Sequence, residues 1–82
     1  MKLKITEFSW FPSAIKKGVR VTRVGWDAGG FGWGEITFLQ YPRGRVTMDS
    51  EEMSNKFVNQ VLDEAAIWIP AKLMKVLRKA AS

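Results

Sequence analysis

Cysteine and histidine are both absent from this 82-residue chain. Without cysteine there is no disulfide framework and no thiolate chemistry, which fits an intracellular, cytoplasmic setting. Without histidine the chain lacks the commonest general base and the commonest transition-metal ligand, and no Ser-His or Cys-His nucleophile pair can form. Long apolar runs are missing too: nothing approaches the ~18 to 20 residues of a membrane span, so no membrane association is expected. The opening MKLKITEF carries charges inside its apolar run and does not read as a signal peptide.

Eight carboxylates remain, at Glu7, Asp27, Glu35, Asp49, Glu51, Glu52, Asp63 and Glu64. None stands in a recognisable catalytic spacing. The expectation is therefore a protein that binds without catalysis and needs no cofactor or metal. The length supports one domain over residues 1–82 with a limited core, and a homo-oligomer is one route to more burial.

Net charge is +5, and its placement is uneven. Residues 1–48 carry eight Lys/Arg and three acids, residues 49–69 one base and five acids, and residues 70–82 four bases and no acid. Such thirds can meet across a homomeric interface, or the bases can attract a polyanion.

What is abundant lies between Val19 and Phe38. The β-branched, basic run Val19-Arg20-Val21-Thr22-Arg23-Val24 suits a half-exposed strand, with Glu35 to Leu39 as its return. Between them Trp26, Phe31 and Trp33 stand among Gly25, Gly29, Gly30, Gly32 and Gly34. Each aromatic alone reads as core. Three of them among so many glycines have few side chains to pack against. Two tryptophans and two arginines this close offer a surface for stacking flat rings and pairing phosphates. GGFGWG is not a phosphate loop, because its spacing differs and no Lys-Ser/Thr pair follows it.

The second strand has a fault in its inside–outside phase. Val19 and Val21 point one way, Val24 and Trp26 the other, and Arg23 falls on the Val19 side. A bulge near Arg23 would repair the phase; a sheet covered on both faces is the other reading.

Elsewhere the pattern is local and conventional. Lys2 to Phe8 alternates as a first strand, interrupted at Phe11-Pro12-Ser13. Residues 13–18 read as one or two helical turns closed by Gly18, with Ile15 docked on the sheet. Tyr41-Pro42-Arg43-Gly44 is a turn, followed by strand Arg45 to Met48. Asp49 is the expected cap of a helix, with Glu52 in a capping-box exchange. Met53, Phe57, Val58, Val61, Leu62 and Ala65 form its apolar stripe. Pro70 starts a second helix with Leu73, Val76 and Leu77 inward. Lys72, Lys75, Arg78 and Lys79 form a basic face, read either as a solvated surface or as a secondary anion patch. The predicted fold class is α+β: an antiparallel sheet of about four strands, a short helix after the first strand, and C-terminal helices packed on one face.

Residues 14–30, AIKKGVRVTRVGWDAGG, resemble the opening of the second family of Thoeris anti-defence proteins. Ala14, Lys17, Gly18, Val21, Arg23, Gly25, Trp26 and Gly30 stand in that family's pattern, with Asp27 where asparagine is common. The resemblance covers about a fifth of the chain. It implies a small phage protein, homo-oligomeric, that sequesters a cyclic ADP-ribose-type immune signal in the host cytoplasm without degrading it. The ligand-binding residues expected on this reading are Arg20 and Arg23 for phosphate, Trp26 and Trp33 for a base, and Asp27 for ribose hydroxyls.

A second likeness is to cold-shock domains. Val24-Gly25-Trp26, Gly30-Phe31-Gly32-Trp33 and Ile36-Thr37 look like their first RNA-binding motif, which implies single-stranded nucleic acid as partner. A third class is an inhibitor of a host or defence complex that acts by protein contact through its helix or basic tail.

Overall fold

Alternation decides the sheet and 3.6-residue spacing decides the helices. In the computed structural model, which describes residues 2–49 and 53–82, four strands are followed by two helices. The strands are β1 (Lys4–Pro12), β2 (Arg20–Asp27), β3 (Trp33–Gln40) and β4 (Val46–Asp49); the helices are α1 (Asn55–Ala65) and α2 (Ala71–Ala80). The sheet is antiparallel in sequence order, β1-β2-β3-β4. This is the α+β architecture that the pattern predicts.

Both helices pack on one face of the sheet. That face presents Phe8, Val24, Ile36, Phe38 and Met48, and against it lie Val58, Val61, Leu62 and Ala65 of α1 and Leu73 and Leu77 of α2. The α1 stripe is therefore core, as its spacing predicts. Val76 is only half-buried. Val24, Ile36, Val58, Val61 and Leu62 are completely buried. At roughly 1.5–3 kcal/mol for each large side chain buried, this layer is the main stabilising term.

The open face shows why β2 changes phase. Register places Arg23 opposite Ser9 and Thr37, and Val21 opposite Phe11 and Leu39. Val21 is 8% exposed although no helix covers it, because partly buried Phe11 and Leu39 flank it. Both faces of the central strand are thus covered, each by a different means. No bulge lies near Arg23; pairing of β2 is continuous through it. The irregularity sits in β1 instead, between Ile5 and Glu7, and makes Thr6 the extra residue. A bulge of this kind turns the strand and keeps Ile5 and Phe8 on the core side.

Three expectations need correction. First, β1 does not stop at Phe8 but runs to Pro12, which pairs with Arg20 at the strand's last position. Proline is tolerated there because β1 is an edge strand and the missing N–H is needed least at its end.

Second, residues 13–18 are a turn and not a helix. The Ser13 hydroxyl accepts hydrogen bonds from the N–H groups of Ile15 and Lys16 (3.2 and 3.0 Å), as a helix cap would. But Gly18 takes φ +80° and the Val19 N–H bonds the Lys16 carbonyl (3.2 Å), so the chain turns back before a helix can propagate. The Ser13 N–H donates to the Val19 carbonyl (2.7 Å) and closes the loop. Ile15 does not dock; it is 93% exposed.

Third, Asp49 ends β4 and does not cap α1. Ser54 caps α1, its hydroxyl accepting from the Phe57 N–H (3.1 Å). The capping exchange expected of Glu52 lies outside the described residues. Pro70 immediately precedes α2, and its carbonyl accepts the Met74 N–H (2.9 Å). The turn at 41–44 forms as predicted, with the Gly44 N–H donating to the Tyr41 carbonyl and the Tyr41 N–H to the Arg45 carbonyl. No described helix is long and apolar enough to cross a membrane.

Candidate functional site

The antiparallel meander gives the sheet two ends of different character. The loops at 13–19 and 41–45 share one end, and the hairpin tip at 28–32 forms the other. Residues 8–26 and 36–48 contain no acid, so the loop end is basic. Asp27, Glu35 and Asp49 lie toward the tip.

The five expected ligand residues do not converge. Trp26 belongs to the shell of the core: it packs edge-on against Phe57, ring centroids 4.8 Å apart. Its ring also lies so close over Gly34 that a Cβ there would stand 3.0 Å from Cζ2. Its buried Nε1–H finds no acceptor among the described residues. Asp27 is used locally: Oδ1 accepts the Gly29 N–H (2.8 Å) and shapes the short helical turn Gly29–Phe31. Trp33 is 81% exposed at the tip, and Phe31 beside it 79%.

Arg23 lies on the open face, half-exposed, with its Nε 3.7 Å from Glu35 Oε1 and its guanidinium over the Phe11 ring. The cleft between Trp26 and Trp33 is lined by Glu35, Thr37, Asp49 and Met53 as well. Two carboxylates at its wall make it a poor seat for phosphate. Among the described residues no three Asp or Glu gather as a metal-holding group.

Arg20 is on the opposite face from Arg23, as alternation along β2 requires. It stands directly across from Gln40, and its guanidinium lies 5.4 Å from the centroid of the Trp10 ring. Trp10 itself is 46% exposed. Together with Gln40, Pro70, Lys72, Leu73 and Val76 it lines a groove of about 460 Å³ between the sheet and α2. That volume is within the ~300–1,000 Å³ of small-molecule pockets, which are mostly apolar with a few convergent polar groups. No carboxylate lines it. Of the residues singled out in the sequence, Lys72 lines this groove and Arg20 lies beside it over the Trp10 ring. Two that were not, Trp10 and Gln40, complete the wall. The signal available for Trp10 was its parity with Phe8 along β1; the groove itself exists only because α2 docks beside it.

The rest of the basic face on α2 divides. Arg78 is engaged, donating to Asn59 Oδ1 (2.7 Å) and pairing with Asp63. Asn59 in turn donates to the Ala81 carbonyl (2.8 Å), so this network ties α1 to the end of α2. Lys75 and Lys79 are exposed.

At the open-face side of the basic end stands Tyr41. Arg45 and Lys16 approach its ring at 4.3 and 5.8 Å from the centroid. A hydrogen bond with the Thr47 side chain, aided by the charges of Lys16 and Arg45, holds its phenol below the usual tyrosine pKa. Gly18 locks the two loops together. It takes φ +80°, and a Cβ there would stand 2.9 Å from Pro42 Cγ. Comparison with family models, with curated proteins and with solved structures finds no match.

Proposed function

We propose that this protein binds a phosphate-bearing, nucleotide-type molecule without transforming it, and that the groove between Trp10 and α2 holds it. The observation that carries this reading is Arg20 stacked over Trp10 at the edge of an apolar groove that Lys72 also lines. A base stacks on Trp10, worth ~1–3 kcal/mol. The Gln40 amide offers both a donor and an acceptor to a base edge. Arg20 takes a phosphate in its planar fork, and Lys72 adds a mobile point charge.

The likeness of residues 14–30 to the second Thoeris anti-defence family supports a cyclic ADP-ribose-type signal as ligand and a homo-oligomer as the holder. The function is then sequestration, in the cytoplasm of a phage-infected cell. Titration calorimetry with cyclic ADP-ribose and AMP tests the reading. Trp10→Ser is expected to weaken binding about 5- to 150-fold, the fold-change equivalent of a lost stacking contact. Unchanged affinity in Trp10→Ser would put the ligand elsewhere. Light scattering on the same samples tests the oligomer.

A further inference from the structure

The nucleotide reading of the groove leaves the second ring unused. Tyr41 lies on the other face of the sheet, because it continues the Thr37, Leu39 alternation of β3. Around it the loops bring Lys16, Arg43 and Arg45 together, and a shallow pocket is lined by Tyr41, Pro42, Arg43 and Arg45. No carboxylate among the described residues pairs with any of these bases. Like charges this close repel, and no ion pair among the described residues offsets them. A ligand with several negative charges would.

We infer that the loop end is a second anion site and that single-stranded nucleic acid, besides the compact nucleotide of the groove, is a ligand that spans both rings, an inference that rests on the nucleotide reading of the groove. Trp10 sits on β1 and Tyr41 at the end of β3, two strand spacings apart across the sheet and, because Trp10 is level with Thr22 and Phe38, three residues apart along it, roughly 14 Å in all, and on opposite faces. One compact nucleotide cannot stack on both. A strand that rounds the sheet end can. Its bases stack on Trp10 and Tyr41, and its phosphates pass Arg20, Arg43, Arg45 and Lys16. Stacking of this kind tolerates any base, and the bases follow the backbone without reading its sequence. The Gly18–Pro42 contact holds the two loops at fixed separation, so the charges are positioned before the ligand arrives.

The test uses the full chain with a fluorescein-labelled oligothymidylate of about ten nucleotides and with thymidine monophosphate, each at two salt concentrations. The oligonucleotide is expected to bind at least tenfold more tightly. Its log K should fall with log salt by about 0.7 per phosphate neutralised. Arg45→Gln with Lys16→Gln should flatten that slope by about 1.4 and leave thymidine monophosphate binding unchanged. Tyr41→Leu should weaken the oligonucleotide alone and keep the slope, which separates stacking from charge. Melting temperatures of the variants confirm that they fold.

Equal affinity for the two probes, or oligonucleotide binding indifferent to these three changes, would overturn the inference. In that case a mononucleotide that still depends on Trp10 leaves the groove reading standing. Mononucleotide binding indifferent to Trp10→Ser would sink the groove reading, and with it the span from one ring to the other.

Discussion

Trp26 and Phe57 meet edge to face, with ring planes at 75° and centroids 4.8 Å apart. The contact joins the end of β2 to the first turn of α1, and it takes Trp26 out of the pool of residues free to stack on a ligand. Aromatic pairs of this geometry add about 0.5–1.5 kcal/mol beyond the area they bury. Phe57→Ala is expected to cost about 3 kcal/mol, the low end for such truncations, because Phe57 is only partly buried. Lys75→Ala, an exposed change on α2, should stay within about 0.5 kcal/mol. Urea denaturation measures both. A loss below about 1 kcal/mol at Phe57, the ordinary size for a point mutant, would mean that α1 turns a different side to the sheet.

Arg23 has a carboxylate partner inside the protein. It and Glu35 are both about half exposed, at 48% and 46%, and 3.7 Å apart. Solvent screens such a pair, so Arg23→Ala is expected to change stability by less than about 1 kcal/mol. Ligand affinity should be unaffected, since the Trp10 groove is on the other face. A double-mutant cycle with Glu35→Ala should give a coupling under about 1 kcal/mol. A large loss of affinity with the fold intact would return Arg23 to the binding site.

Gly18 and Gly30 should respond oppositely to alanine. At Gly18 a side chain meets both a positive φ and the Pro42 ring, and the loss should exceed about 1 kcal/mol. At Gly30 the space is open, so alanine should be neutral or stabilising by up to about 1 kcal/mol through the unfolded chain. Melting temperatures of the two variants decide this. A tolerated alanine at Gly18 would mean that the two loops are not in contact.

Tyr41 is the only tyrosine in the chain, so tyrosinate absorbance reports it alone. Its phenol should ionise below the ordinary tyrosine value of 10.0. Thr47→Val, which removes the first of the causes, should move the titration back upward. The sign for stability follows from a folded pKa below the unfolded one. Ionisation of Tyr41 adds stability as pH rises through the folded value, and that gain is complete above 10.0 and lost again as pH falls. A titration at or above the ordinary tyrosine value would show that Thr47 and the two cations do not act on the ring.

What was legible in the sequence is what neighbours along the chain decide. The Tyr41–Gly44 turn needs only its own four residues, and the α1 stripe needs only its own period. The segment 13–18 shows where local reading fails: Ser13 makes the hydrogen bonds of a helix cap, yet Gly18 at positive φ and the bond from the Ser13 N–H to the Val19 carbonyl close the segment as a turn. Pro12 was a stop signal in an interior strand and is an allowed terminus on an edge strand, but edge position is a property of the whole sheet. The site was hardest. Arg20 and Lys72 are 52 positions apart in sequence, and Trp10 and Gln40 join them only once β1, β3 and α2 are assembled. The phase slip at Arg23 is legible in the sequence, but its cause is not: partly buried Phe11 and Leu39 on the neighbouring strands cover Val21 on the open face, and β2 pairs without a bulge.

The place of β1 at the rim of the sheet also bears on how the protein survives at high concentration. Strand rims recruit other strands, and long apolar ones seed precipitation. Here the rim is guarded at three points: Lys4 at its start, the Thr6 bulge, and Pro12 at its end. Between the last two lies Glu7 to Phe11, which carries Phe8, Trp10 and Phe11. Colloidal lifetime therefore rests in part on Lys4 and Pro12, which are exposed and outside the core. Removing Pro12 would shorten shelf life long before it lowered the melting temperature, whereas removing the bulge would also turn Ile5 or Phe8 away from the core.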